Sequence, residues 1–415
     1  MSQAPARPRA FAAMRHPQFR WYFGTFLLAM MADNIEHVIS YWVMFQKFHS
    51  PALGGFAVVS HWLPYILFSI PMGGLADRVK PQRLIQISMI LFIGVSLGWG
   101  FFFATDTLKI WEAMLLLVVH GCAGVFWQTP GQLILYSIVD REELQSAVRL
   151  NATARYLGVL VGPAVGGVLL IWLGPVKGIF VNCCFYLPTL LWMARVRFQR
   201  EAVAPRAMSG LKDVLGTFRA IADRPAIVAM AVLAAAASGL IGNSYQAQMP
   251  EFAVSLGHGN PGFAYSALLA ADAAGALTGG FLLETLGGFR TGPRNALLLA
   301  GGWCLALAAF ALTGTYAVAL LCLFAAGFFE LSFSSMAQTV VQVDAPSEMR
   351  GRVLGVYAMA ALGCRTFSGI TVGLIGALLG VHISLALAAA VLFAVVGILL
   401  ARQMRGRALR EAPLS

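Results

Sequence analysis

Asp33 and Glu36 stand three residues apart in a stretch, 19–46, that is otherwise largely apolar. On a helix that spacing puts both carboxylates on one face, with His37 adjoining them and Asn34 between. Ionisable side chains in lipid are costly and mark functional positions. Two acids on one face, held out of water, compete for a proton, and a group that takes and releases a proton can couple proton flow to movement of a solute. Asp33 and Glu36 are therefore expected to carry the coupling proton. The alternative is that the pair only lines a polar cavity or pairs with an arginine. Other charges fall deep in apolar segments: Arg155, Asp272, Glu330 and Arg365. Asp272 and Glu330 are the rival proton carriers. Arg155 and Arg365 are expected as counter-ions or as ligands for an anionic substrate. With Asn34, Trp127, Gln128 and Tyr245 they form the expected substrate set, since aromatic and amide groups suit a bulky, partly apolar ligand. Asn243 and Gln246 could add hydrogen bonds.

These residues must be positioned by helices in a membrane. Of 415 residues, 59% are hydrophobic and only 11% charged, and mean hydropathy is +0.75, against roughly 25% charged residues in a soluble domain. Each span needs about 20 apolar residues. Twelve can be placed, at 19–46, 52–76, 84–104, 109–137, 147–172 and 175–194, then 226–252, 261–286, 295–313, 316–341, 351–378 and 381–401. The expected architecture is all-α: two pseudo-symmetric six-helix bundles. Domains run 1–194, 195–225 as linker, and 226–415. In the linker, Leu211, Val214, Leu215, Phe218 and Ile221 recur at helical spacing, as in a helix lying on the membrane surface.

Positive charge sets the orientation. With both ends cytoplasmic, the loops on that side collect Arg78, Lys80, Arg83, Arg141, Arg149, Arg197, Arg200, Arg206, Arg290 and Arg350, among others, while the opposite side receives only Lys47, Lys109 and Lys177. The net charge of +11 then faces an anionic leaflet, and no nucleic-acid partner is needed. The halves echo one another. Gly55-Phe56-Ala57 matches Gly262-Phe263-Ala264, and at the same offset Gly73, Asp77 and Arg83 fall on Gly280, Glu284 and Arg290. Such duplication is a transporter trait.

Two motifs carry a family resemblance. Gly73-Gly74-Leu75-Ala76-Asp77-Arg78, followed by Arg83, resembles the loop between the second and third helices of the major facilitator superfamily. Lys80 and Pro81 depart from its usual pattern. The resemblance implies that this loop clamps the two halves, with Asp77 facing the start of the eleventh span. Gly158-x-x-x-Gly162-Pro163-x-x-Gly166-Gly167 resembles the antiporter signature in the fifth helix of exporters, read here as a close-packing hinge at the contact between bundles. The region from Trp127 to Leu170 is similar to the subgroup of siderophore exporters and macrolide efflux pumps. His120, with Gly124, stands where many members carry arginine in R-x-x-x-G. That arginine is implicated in proton handling, a role histidine can also serve.

The chain has no G-x-x-x-x-G-K-[ST] loop, so it does not hydrolyse nucleotide itself. Its seven histidines are scattered, without H-E-x-x-H or a cysteine cluster, which argues against a zinc enzyme. No cofactor and no metal are expected. The implied function is secondary transport: efflux of a siderophore or drug-like amphipathic solute by a monomer in a bacterial cytoplasmic membrane, coupled to protons. A lipid or lysophospholipid flippase on the same scaffold is the alternative.

Overall fold

A computed structural model describes residues 11–48, 51–196, 211–242, 244–257, 261–286, 291–368, 376 and 379–411. Among these the secondary structure is helical, with no strand. The helices are α1 (Pro17–Phe48), α2 (Pro51–Ala76), α3 (Pro81–Thr105) and α4 (Ile110–Leu133). A 52-residue helical stretch, Leu144–Arg195, follows. Gly174 breaks it at φ 71, a left-handed conformation natural to glycine, so that α5 (144–173) and α6 (175–195) are two spans. Next come α7 (Leu211–Ala222), α8 (Pro225–Leu240), α9 (Pro261–Leu286), α10 (Pro293–Leu312), α11 (Tyr316–Asp344), α12 (Arg350–Ala358) and α13 (Val381–Glu411). Proline opens seven of these helices, a position where its missing N–H costs nothing and its φ is already helical.

The twelve spans are α1–α6 and α8–α13, the eleventh beginning with α12. Eight described helical stretches, Leu144–Arg195 counted as one, meet both the length and the apolarity of a membrane crossing. The first span, of 32 residues, is diluted by Asp33, Asn34, Glu36 and His37, while the second, of 26 residues, holds no Asp, Glu, Lys or Arg. Much apolar surface faces outward. Ile171 and Trp172 are 80% and 82% exposed and Leu312 and Leu321 74% and 70%, which only lipid can cover. Trp21, Trp111 and Trp172 lie near span ends, where indoles anchor at the interface. In α7, Leu215 and Phe218 are exposed while Ile221 is buried.

The described residues divide into two compact units, one within Pro8–Arg219 and Ala345–Met359, the other within Ala220–Asp344 and Ala360–Ser415. The first therefore holds α1–α6 and also α12. Its core is aromatic: Phe26, Phe92, Trp127 and Tyr186 are buried together, with Phe92 and Tyr186 stacked at 5.1 Å. Tyr22 donates to the Gly131 carbonyl at 2.8 Å. Glycine sets the helix separations, as in other membrane bundles. A Cβ on Gly73 would strike the backbone of Gly351, and one on Gly355 the carbonyl of Ser69.

The motif glycines of α5 make a close contact with α1. Gly158, Gly162 and Gly166 lie against Met30, Met31, Asn34 and Ile35 of α1, inside one unit. Their near neighbours are thus in the same bundle, because the glycine face of α5 is the face turned to α1. Pro163 is exposed, and Gly167 has nothing within 4 Å of its missing side chain. Gly162→Ala would set a Cβ 2.7 Å from the Asn34 Cβ and 3.0 Å from the Met31 carbonyl. The expected cost is about 1–3 kcal/mol, measurable as a lowered melting temperature in detergent, whereas Gly167→Ala should leave it unchanged.

Candidate functional site

Asp33 and Glu36 sit mid-way along α1 and meet the fourth span at one side chain. His120 Nε2 lies 2.9 Å from Asp33 Oδ1, and His120 Nδ1 lies 2.7 Å from Glu36 Oε1. Ser96 of α3 donates to the other Glu36 oxygen, and Asn182 of α6 donates to the Ser96 hydroxyl at 3.3 Å. Side-chain exposure is 2% for Glu36, 4% for His120 and 14% for Asp33. Phe92 meets the His120 ring edge-on at 4.9 Å. Asp33 is thus the more open end of a chain that terminates at buried Glu36.

This arrangement has a proton count built in. A neutral imidazole has one donor and one acceptor, and ionised carboxylates only accept. For both contacts to be hydrogen bonds, either the imidazole carries two protons or one acid carries its own. The cluster can hold or pass a proton along two short contacts, in a site where an isolated charge is costly.

His37 and His61 complete the surroundings. The His37 ring centroid is 4.8 Å from that of His120 and 5.0 Å from that of His61. Trp62 covers His61 at 4.4 Å, and Tyr41 faces His37 at 5.1 Å. His61, Ser96 and Asn182 carried no sequence signal. Nothing in the periodicity of an all-round apolar helix tells which face points inward.

The second unit holds its own pair of acids. The Tyr245 hydroxyl lies 3.1 Å from Asp272 Oδ2 and 3.3 Å from Glu330 Oε2. Gln246 donates to Asp272 Oδ2 at 2.9 Å. Tyr245 is fully buried, and Asp272 and Glu330 are 5% and 9% exposed. A single phenolic proton cannot serve two carboxylates at once, so here too the contacts depend on proton number.

The remaining sequence candidates are dispersed. Asn34 donates to the Met30 carbonyl of its own helix at 2.8 Å. Trp127 is buried in the aromatic core, 5.0 Å from Phe26. Arg155 donates to Gln128 Oε1 at 2.5 Å, and both are partly exposed. Arg365 follows the π-helical turn Met359–Gly363. Asn243, Arg290, and the linker arginines 197, 200 and 206 lie outside the described residues.

Asp77 caps α12. Its carboxylate accepts from the backbone N–H groups of Gly351 at 2.7 Å and Arg352 at 3.2 Å, with Arg352 Nε 3.8 Å away. An acid at a helix start satisfies orphan donors and meets the positive end of the dipole. Arg350 lies 4.1 Å over the Tyr136 ring, a cation–π contact that ties the same helix to the end of the fourth span. Arg78 and Arg83 are exposed on this face. Asp77→Ala should cost about 0.5–2 kcal/mol, and a melting curve should show that loss while Arg78→Ala leaves it unmoved.

Residues 8–412 match the family described as transmembrane secretion effector. The enterobactin exporter of Citrobacter koseri is 24% identical over 376 residues, covering 88% of this chain and 86% of that protein. The enterobactin exporter of Escherichia coli O1:K1 is 25% identical over 319 residues, covering 74% and 73%. Among solved structures, the fucose:proton symporter of Escherichia coli superposes with a TM-score of 0.70 at 14% identity, covering 94% of this chain and 98% of that one. The human organic anion transporter MFSD10 gives 0.66 at 12%, covering 92% and 99%.

Proposed function

We infer that this chain, which belongs to the transmembrane secretion effector family of the major facilitator superfamily, is a proton-coupled exporter of an amphipathic, siderophore-type solute. It is a multi-pass membrane transporter and not an enzyme; the solute, the coupling ion and the mechanism are our reading. The observation that carries it is the contact of His120 with both Asp33 and Glu36. A transporter that exchanges solute for protons needs a group whose protonation is felt by the surrounding helices. Here the proton decides whether spans α1 and α4 are held by attraction or carry two unneutralised acids. The Tyr245, Asp272 and Glu330 cluster is the second candidate for that role. Arg155 with Gln128, partly exposed, and Arg365 are the polar groups proposed to meet solute. Alternating access, cytoplasmic termini in a bacterial inner membrane, and a monomeric working unit complete the proposal. Basic loops on one side support that orientation, and Asp77 with the glycines Gly73, Gly351 and Gly355 is the proposed conformational latch.

Reconstitution tests the direction and the driving force. Proteoliposomes given an acidic interior and offered enterobactin outside should accumulate it, and dissipating the pH gradient should stop accumulation. Equal uptake with and without the gradient would contradict proton coupling. Translocation of lysophospholipid with no movement of enterobactin would favour the flippase reading instead.

A further inference from the structure

The three histidines that lie far apart in the chain come together at α1, α2 and α4. His37, His61 and His120 each present a ring nitrogen, and the three nitrogens lie within 4.8 Å of one another. Their centroids are 5.0, 4.8 and 5.6 Å apart. Three imidazoles bound to one tetrahedral ion through nitrogens at about 2.05 Å hold their centroids about 5.2 Å apart. The rings are already spaced for a metal; only their nitrogens must turn inward.

We propose that His37, His61 and His120 form a binding site for a first-row divalent transition ion such as Zn2+ or Co2+, with the fourth position open on the Asp33 side. The surroundings suit it. Asp33 is an electrostatic neighbour of all three histidines and the more open of the two acids. Glu36 is placed to act from behind: His120 Nδ1 can keep its contact with Glu36 at 2.7 Å while Nε2 turns from Asp33 to the ion. This is the carboxylate–histidine–metal arrangement that fixes ring orientation at metal sites. Ser96 in turn holds Glu36. Asp33 and Glu36 neutralise the ion's two charges, so filling the site puts no net charge into the membrane interior. Three imidazoles and a hard oxygen donor favour zinc, cobalt, nickel or copper over magnesium or calcium. An ion on Nε2 and the Asp33–His120 hydrogen bond exclude one another. Resting on the export reading above, Zn2+ should therefore arrest transport.

The binding test stands apart from transport. Purified full-length protein, stripped with a chelator, is titrated with Co2+ alone. The wild type should develop the strong visible bands of four-coordinate cobalt at one equivalent, and Zn2+ should bleach them. His61→Gln and His37→Asn, each checked for an unchanged elution volume and melting curve, should weaken binding at least tenfold. Glu36→Gln should weaken it about tenfold or more as an orienting residue. His16→Gln, in the separate His16, Asp140 and Glu143 group, should leave it unaltered. Only the weak spectrum of hydrated cobalt in the wild type, or undiminished bands in both His61→Gln and His37→Asn, would overturn the site. If one variant fails to fold, the other decides. Cobalt bands without any inhibition of export by Zn2+ would keep the site and count against the transport reading.

Discussion

His120→Ala is expected to abolish gradient-driven accumulation of solute and to destabilise the protein by about 3–5 kcal/mol, the usual result of removing one partner from a buried ion pair. Glu36 is 2% exposed and would lose the His120 imidazole, keeping the Ser96 hydroxyl. Asp33 would lose its contact at 2.9 Å. The structural and coupling parts can be separated. In the double variant Glu36→Gln with His120→Ala, a neutral amide replaces the stranded carboxylate, so most of the lost stability should return while accumulation stays absent. A double-mutant cycle on melting and on accumulation reads both. A His120→Ala protein with wild-type melting and full accumulation would leave the triad without a role.

The second large effect is expected at Gly121, one residue beyond His120. A Cβ there would collide with the Ser60 carbonyl oxygen and stand 3.2 Å from the His61 Cα. Backbone cannot yield as a flexible side chain can, so Gly121→Val must push α2 away from α4. We expect a loss of 3 kcal/mol or more, beyond the roughly 1–3 kcal/mol of ordinary overpacking, seen as aggregation on heating at temperatures the wild type survives. The shift would also carry His61 away from His120. Gly94→Ala is the control. Gly94 has nothing within 4 Å of its missing side chain, and alanine is the better helix former by about 1 kcal/mol, so that variant should melt no lower than wild type. Equal behaviour of the two would mean that glycine at 121 is not holding the helices together.

The architecture was legible because lipid demands long apolar helices, and runs of about 20 apolar residues can be read directly; the proline starts and the Gly174 break came from the structure. The acid pair was legible too, since a three-residue spacing fixes a shared face whatever the tertiary fold. The partner of that pair was harder. His120 stood out only through its position in a resembling motif, and that it bridges both acids depends on how α4 is rotated and how deep it sits. His61 was not legible at all. It lies 24 residues beyond His37 in a helix apolar all round, and only the close approach of α2 to α4 at Gly121 brings it to His120. Tyr245, Asp272 and Glu330 come from three different spans, and no local spacing links them. The glycines of α5 were legible as a pattern but not as a contact. Their pattern correctly announced close packing, but composition does not name the neighbour, which is α1 of the same unit.

We propose the cluster of Asp33, Glu36 and His120 as the carrier of the coupling proton. The most direct measurement is proton movement itself, followed with a pH-sensitive dye inside proteoliposomes when an enterobactin gradient is applied in the absence of any initial pH difference. The wild type should move protons opposite to the solute. The Asp33→Asn, Glu36→Gln double variant should pass solute down its gradient with no accompanying pH change. An undiminished proton signal in that double variant would contradict the account and shift the coupling role to Asp272 and Glu330.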